Sequence, residues 1–460
     1  MHETQSLSQA PLSAAPKRRW LTLLTLCTAV LIAQIDTSVV NLAVRPIGAY
    51  FHASVAALQW IVDSYNLLYA VLLLTGGLLA DLYGRRLIFM VGAGLFTAAS
   101  LLSAAASGVA VLIGGRALAG IGAGLLLPAS LAIIRVAWPD KRTRGHALGL
   151  WAACNGLALA IGPTLGGVLL DRFGWRSIFL VVVPLGLAAL LLARPAIPET
   201  ADPQNRRFDA PAQLLGALAL GGLALAAIES QAATGIAALA FAIASVAFVF
   251  FIKIERQRGA AALVPLDLFR AQQFRGAITA TAGMTFGMYG VLFLLPLLWQ
   301  SSGRLGPVGA GIALMPSALA FLLVSPFSGF LAGTFGNRLL TSGGVAVIGL
   351  GLLTIGATAA SASIIGAEIG LGLTGLGMGL ATGPLMDAAV SAVPAARSGT
   401  AAALINVARM AGATIGVAVL GAVFALAQDG AAGLRLAMLL GGLTQLAAAA
   451  TAWTAMRRRS

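Results

Sequence analysis

Five ionisable residues lie inside long apolar runs of this 460-residue chain: Asp36, Asp63, Arg116, Glu368 and Arg409. If the runs cross a membrane, each charge there is costly and is therefore a functional candidate. Desolvation disfavours the charged form of a carboxyl group, so an acid at this depth can exchange a proton near neutral pH. These residue types predict proton uptake, proton release and ion pairing.

The sequence offers few residues for catalysis, metal binding or nucleotide binding. His2, His52 and His146 are the only histidines, and none lies in the middle of an apolar run. Cys27 and Cys154 are the only cysteines, so neither a Cys/His metal cluster nor a disulfide framework is predicted. The nucleotide-binding pattern Gly-x-x-x-x-Gly-Lys-Ser/Thr does not occur. We therefore predict that the protein is not an enzyme, holds no cofactor, and draws energy from an ion gradient or from its substrate's gradient.

Arg116 is the basic group that could control Asp36. An arginine does not lose its proton in proteins, so inside a helix bundle it must pair or contact water. A pair with Asp36 would hold that acid ionised until a proton or a substrate competes. The structural alternative is a backbone carbonyl as the partner of Arg116.

The composition predicts the elements that position these residues. The chain is 59% hydrophobic and 10% charged, whereas a soluble domain carries about 25% charged residues. Runs of about 20 apolar residues, the length that spans a bilayer, recur along the chain. The predicted spans lie near 20–43, 57–80, 87–107, 110–134, 147–170, 177–193, 213–229, 234–252, 276–299, 308–332, 339–359, 363–386, 399–425 and 433–455.

The basic residues predict the orientation of these spans. The formal net charge is +14, and 22 of the 29 Lys and Arg residues fall in the termini and loops on one side, against five on the other. Positive residues are concentrated on the cytoplasmic side of membrane proteins. We therefore predict that both termini are cytoplasmic, in a multi-pass protein of the cell (inner) membrane. The clusters are interpreted as topology signals, and no nucleic-acid partner is predicted.

An internal repeat divides the chain. The sequence GLLADLYGRR at 77–86 returns as GFLAGTFGNR at 329–338, each after the second span of its half. We therefore predict two equivalent six-helix halves with two extra helices between them. The predicted parts are a cytoplasmic segment 1–19, a first half 20–193, a central section 194–275 with the two extra helices, a second half 276–455 and a cytoplasmic end 456–460.

Four motifs carry a resemblance to a known family. They are Asp36-Thr-Ser-Val-Val-Asn41-Leu-Ala-Val-Arg45-Pro46, Gly77-Leu-Leu-Ala-Asp81-Leu-Tyr-Gly84-Arg85-Arg86, Arg116-Ala-Leu-Ala-Gly120-Ile-Gly122 and Gly162-Pro163-Thr-Leu-Gly166-Gly167. Together they resemble the fourteen-span drug/proton antiporters of the major facilitator superfamily over nearly the whole chain. Two departures stand out: Arg45 replaces an apolar residue, and Gly333 replaces Asp81 in the second repeat, so a symmetric pair of loop gates is not implied.

The resemblance implies an all-α membrane protein with the major facilitator fold and fourteen transmembrane helices. It implies a proton-coupled exporter of small amphipathic, preferentially cationic, drugs or metabolites that works by alternating access. The partners would be the small-molecule substrate, protons as the coupling ion and the lipid bilayer, with the monomer as the functional unit. A proton or sodium symporter for a specific solute remains an alternative, as do a channel and a non-transporting membrane sensor.

The resemblance and the residue types together assign roles. Asp36, Arg116 and Asp63 are predicted to couple protons. Asp63 is predicted to choose cationic substrates as well; the alternative is an interfacial ion pair, or an outer gate, with Arg45. The predicted substrate-binding residues are Asp63, Asn41, Tyr65, Tyr289, Phe293, Asn406 and Glu368. The predicted gating residues are Gly77, Asp81, Gly84, Arg85, Arg86, Gly162, Pro163, Gly166, Gly167 and Arg45. For Arg409, the sequence predicts either a packing role or a transport role.

Overall fold

The protein is described here by a computed structural model, which covers residues 16–201, 209–230, 233–259, 262–361, 363–394, 397–427 and 429–456. These residues form helices and turns without a β-strand. The membrane-length helices are α1 Pro16–Phe51, α2 Val55–Tyr83, α3 Arg85–Ala104, α4 Val109–Ala137, α5 Lys141–Phe173, α6 Ser177–Ala196, α7 Ala210–Ile228, α8 Thr234–Arg258, α9 Gln272–Ser301, α10 Pro307–Phe335, α11 Asn337–Thr358, α12 Ile364–Ser391, α13 Ser398–Ala425 and α14 Gly430–Ala455.

The prediction of an all-α membrane protein with fourteen spans is confirmed. In the described residues, thirteen helices are long and apolar enough to cross a bilayer, and α5 makes a fourteenth span if its two bent segments are counted as one. Within α10, the short 3₁₀ turn Ser325–Phe327 interrupts the helix. The predicted end segments 1–19 and 456–460 lie mostly outside the described residues.

Helix α5 carries the predicted bend. Its segments His146–Ala158 and Ile161–Phe173 meet at 40°. Pro163 lies inside the helix just after this break. Proline lacks the N–H that would bond the carbonyl four residues earlier, and its ring crowds that carbonyl, so the helix bends at that point.

The two halves repeat one packing pattern. In the first half, α1 packs on α5 and α6, and α4 packs on α2 and α3. In the second half, α9 packs on α13 and α14, and α12 packs on α10 and α11. Each contact pair of the first half therefore returns with helices numbered eight higher. The halves meet each other through α2 on α13, α5 on α10 and α1 on α9.

The buried cores show at which end of the bundle the two halves are closed together. Helix α1 begins and helix α14 ends on the same face of the bundle, which we call the terminal face. At the opposite face one continuous core joins both halves, and it includes Val39, Ile61, Phe293 and Leu420. Toward the terminal face the cores are separate: one contains Leu26 and Phe89 of the first half, and the other contains Phe274 of the second. The bundle is thus closed at the opposite face and divided at the terminal face.

The two extra helices lie outside the seam between α2 and α13. Helix α7 packs on both, and α8 packs on α7. The side-chain amide of Gln213 in α7 donates to the carbonyl oxygen of Val71 and accepts from the hydroxyl of Thr75 in α2. Ala224 of α7 packs with Ala418 of α13. Helix α7 therefore contacts both halves along the line where they meet.

Candidate functional site

A buried ion pair joins α1 to α4. The Nη1 atom of Arg116 donates to both carboxylate oxygens of Asp36, at 2.8 Å to Oδ1 and 2.6 Å to Oδ2. Asp36 is 1% exposed and Arg116 is 2% exposed. The pairing predicted from the sequence is therefore present. Two charges taken out of water persist only if they are well paired, and removing one partner leaves the other uncompensated.

Helix α2 holds the arginine of this pair. The Nε of Arg116 donates to the carbonyl oxygen of Ile61 at 3.1 Å, and its guanidinium carbon lies 4.5 Å from the ring centre of Tyr65. The Tyr65 hydroxyl donates in turn to the carbonyl of Ala33 in α1, at 3.5 Å. A cation over an aromatic face is stabilised by the ring's electrons. Both partners suggested by the sequence, a carboxylate and a backbone carbonyl, therefore bind Arg116 together.

Gly120 explains how α4 comes close enough for these contacts. A Cβ atom at this position would lie 3.1 Å from the Cα of Tyr65 and would overlap the neighbouring carbonyl. The glycine of the Arg-x-x-x-Gly pattern thus permits the close approach of α4 to α2. The helix contact brings the guanidinium over the Tyr65 ring.

Asp63 lies on a different face of α2. Gln59, Asp63 and Asn66 are spaced so that they share one helix face, and Gln59 contacts α13. Asp63 is 0% exposed, and neither of its carboxylate oxygens has a hydrogen-bond partner among the described residues. In the described part of the chain, the side-chain amide of Asn66 also lacks a hydrogen-bond partner, as does the buried hydroxyl of Thr414, one turn from Ala418 on α13.

The alternative that Asp63 is an interfacial acid paired with Arg45 is wrong for this state. Asp63 is fully buried on the α2 face that carries Gln59, whereas Arg45 is on α1, which packs mainly on α5, α6 and α9. Within the described residues no ion pair joins the two. The role of Asp63 in coupling and in substrate choice stays a prediction.

The other predicted substrate-binding residues do not form one cluster. Phe293 is 0% exposed in the core that joins the halves. Asn41 donates to the carbonyl of Thr37 at 3.3 Å, and Asn406 donates to that of Ala402 at 3.0 Å, both within their own helices. Glu368 is half-buried near the start of α12. Their roles stay predictions, as does that of Tyr65, which packs beneath Arg116.

The loop motif after α2 is held by a segment that the sequence did not single out. Gly84 turns the chain with a φ of 112°, in the region that favours glycine. Glu199, after α6, accepts from the backbone N–H groups of Arg86 at 3.0 Å and Leu87 at 3.1 Å, which caps α3. No residue pattern near Glu199 indicated this long-range contact.

The acid of the same motif pairs locally. Asp81 accepts from Nε of Arg85 at 3.1 Å and from Nη2 at 2.8 Å. Gly77 packs near Pro128 of α4, where a Cβ atom would lie 3.7 Å from the proline side chain. The predicted arginine partner of Asp81 is thus present within the first half, and a gate across the halves stays a prediction.

The glycines of the α5 motif pack two faces at once. A Cβ at Gly166 would lie 2.7 Å from the Val39 side chain of α1, and one at Gly162 would overlap Ser38. On the other face, a Cβ at Gly167 would lie 2.8 Å from the carbonyl of Pro307 in α10. This motif therefore lies where the first half meets the second, at the closed face.

The fold and the ion pair define a class of protein. Two equivalent six-helix halves, closed together at one face and divided at the other, with a paired acid at membrane depth, are the architecture of a multi-pass membrane transporter. The sequence model of the Major Facilitator Superfamily matches residues 26–417 of the chain. The chain belongs to this family.

Two relatives named for drug resistance are similar to this chain over most of their length. The multidrug resistance protein Stp of Mycobacterium tuberculosis is 36% identical over 394 residues, covering 85% of this chain and 73% of that protein. The methylenomycin A resistance protein of Bacillus subtilis is 32% identical over 436 residues, covering 94% and 93%. A crystal structure of a D-xylose–proton symporter has a TM-score of 0.69 at 16% identity and covers 94% of this chain and 96% of that one, which shows a shared fold.

Proposed function

We propose that this protein is a proton-coupled exporter of small amphipathic molecules that works by alternating access. The observation that carries the proposal is the buried pair of Asp36 and Arg116. A proton and Arg116 compete for the carboxylate of Asp36. When Asp36 is protonated, the buried guanidinium of Arg116 loses its charged partner, and a buried unpaired charge is strongly unfavourable. The arrangement of the helices around Arg116 then has to change, which is the link between a proton and a conformational step.

The divided cores supply the second part of the proposal. Among the described residues one continuous core closes the opposite face while the cores at the terminal face are separate, so a molecule would approach between the halves from the terminal face. The positive-inside rule places that face in the cytoplasm, with 22 of the 29 Lys and Arg residues on its side. The substrate would therefore bind from the cytoplasm or the inner leaflet and leave outside after the halves rock.

The names of the relatives support the direction of transport. Stp is named a multidrug resistance protein and the Bacillus subtilis relative a methylenomycin A resistance protein, and a cell protects itself by moving such compounds out. Cation selection by Asp63 would require a different state of the protein, because the carboxyl group is fully buried in this one.

Proton release from liposomes tests this function. Purified protein is reconstituted with a pH-sensitive dye inside, and a panel of lipophilic cations, acids and neutral drugs is added. We expect a substrate-dependent pH change that is lost in Asp36→Asn and kept in Asp171→Asn, an exposed acid at the end of α5. Normal coupled export by Asp36→Asn contradicts the proposal. Replacing sodium by choline in the same assay identifies sodium coupling if the transport then stops.

A further inference from the structure

Arg409 of α13 is a cation at membrane depth that has no carboxylate partner among the described residues. None of the ion pairs in the described residues includes it, and its Nε is buried with no hydrogen-bond partner there. The side chain as a whole is partly exposed. A guanidinium in apolar surroundings needs an acceptor or water, so its free hydrogen-bonding capacity is available to a ligand.

Two tyrosines from different helices lie in the same packed region as Arg409. Tyr69 of α2 and Tyr289 of α9 belong to one cluster with Val407 and Met410, which flank Arg409 along α13. Helix α13 packs on both α2 and α9. A tyrosine hydroxyl can donate its O–H to a ligand. The three side chains thus present N–H and O–H donors, contributed by both halves of the transporter.

Apolar side chains lie beside these donors. Val407 and Met410, on the same helix as Arg409, pack in one cluster with Tyr69 and Tyr289. A pocket with an apolar wall and a few convergent polar groups is the usual form of a small-molecule site. An amphipathic ligand would place its body on this wall and its polar group on Arg409.

The charges nearby do not neutralise Arg409. Asp36 is bound on both oxygens by Arg116. Asp63 is fully buried, and both of its oxygens lack partners among the described residues, so it does not bind Arg409 either. Among the described residues, neither of these two buried acids therefore pairs with Arg409.

We propose that Arg409, with Tyr69 and Tyr289, binds the acidic group of the exported molecule, and that the substrate class is a small amphipathic organic acid bearing a carboxylate. The guanidinium fork matches the two oxygens of a carboxylate, and the tyrosine hydroxyls donate to the same group. This inference rests on the proposed function for the route by which the molecule enters. It differs from the cation preference that Asp63 suggested, because Arg409 is partly exposed whereas Asp63 is fully buried.

Calorimetric titration of the purified protein in detergent tests the site without any ion gradient. The probes are 1-naphthoate, the uncharged 1-naphthamide and the cation 1-naphthylmethylammonium, which share one apolar body. We expect naphthoate to bind roughly tenfold to a hundredfold more tightly than naphthamide, as charge-assisted hydrogen bonds imply. Equal binding of these two probes, tighter binding of the cation, or no saturable binding of naphthoate overturns the proposal.

Variants assign the preference to this site. Arg409→Gln should remove the difference between naphthoate and naphthamide, Arg409→Lys should keep part of it, and Tyr69→Phe should reduce it. Arg135→Gln, at an exposed arginine near the end of α4, is the matched control and should retain it. If Arg409→Gln does not fold, the probe series on the wild type and Tyr69→Phe still decide. An unchanged preference in Tyr69→Phe and Arg409→Lys together contradicts the assignment.

The two proposals can fail separately. A naphthoate preference with no proton release in liposomes would keep the acid site and remove proton-coupled export. Proton-coupled export in a protein that binds naphthoate and naphthamide equally would keep the transport function and remove the acid site.

Discussion

Gln59 of α2 lies with its side-chain nitrogen 3.0 Å from the carbonyl oxygen of Val417 in α13, and it donates to the next carbonyl, of Ala418, at the same distance. The contact joins the two halves at the closed face. Gln300 of α9 makes a similar contact there, donating to the carbonyl of Leu42 in α1 at 2.9 Å. Two amide side chains from different halves therefore help to hold this face shut.

Gln59→Leu should shift the protein toward the state that is open at this face. Each lost hydrogen bond is worth about 1 kcal/mol, so we expect a shift of roughly five- to thirtyfold in the population ratio. Spin labels at positions 49 and 426, exposed at this face, would report the distance in a background with Cys27 and Cys154 replaced by serine. Gln272→Leu, an exposed glutamine at the start of α9, is the control. An unchanged distance distribution would remove Gln59 from the closure.

Breaking the ion pair on one side should cost more stability than replacing both members. Arg116→Ala leaves the buried carboxylate of Asp36 unpaired, which costs about 3 to 5 kcal/mol. The double variant Asp36→Asn with Arg116→Gln removes both charges and should recover a large part of that loss without recovering transport. Reversible unfolding in mixed micelles measures the difference. If the double variant is as unstable as Arg116→Ala, the cost does not come from an unpaired charge.

Gly120→Ala should destabilise the first half, although alanine is the better helix former. The added Cβ would overlap the backbone at Tyr65, and overpacking of this kind costs about 1 to 3 kcal/mol. Gly372→Ala is the matched control, because a Cβ at Gly372 has nothing within 4 Å. Thermal unfolding in detergent should show a lower midpoint for the first variant and an equal or higher one for the second. The reverse order would mean that α4 does not depend on this close contact.

Glu199 should stabilise the turn between α2 and α3. Its carboxylate accepts from two backbone N–H groups at the start of α3, and loss of such a cap costs about 0.5 to 2 kcal/mol. Glu199→Ala should therefore raise hydrogen exchange at residues 86 and 87, and Glu199→Gln, which keeps an acceptor oxygen, should raise it less. Equal exchange in the two variants would indicate that the contact does not depend on the acceptor.

The sequence by itself determined the membrane class, the number of spans and the repeat, and it predicted Asp36 as one of two possible partners of Arg116. These follow from quantities that are local or nearly so: apolar run length, the price of charge in a bilayer, and a motif that returns in the second half. The bend of α5 could also be predicted from the sequence, because a proline inside a helix removes one backbone hydrogen bond wherever the helix packs.

Only the tertiary structure decided how the remaining polar groups are shared among the helices. Asp63 and Tyr65 lie two residues apart on α2, yet Asp63 has no hydrogen-bond partner among the described residues while Tyr65 packs against Arg116 of α4. Glu199 caps a helix more than a hundred residues earlier in the chain. Such contacts depend on the relative rotation of packed helices, which is set by many small apolar contacts that no single residue pattern encodes.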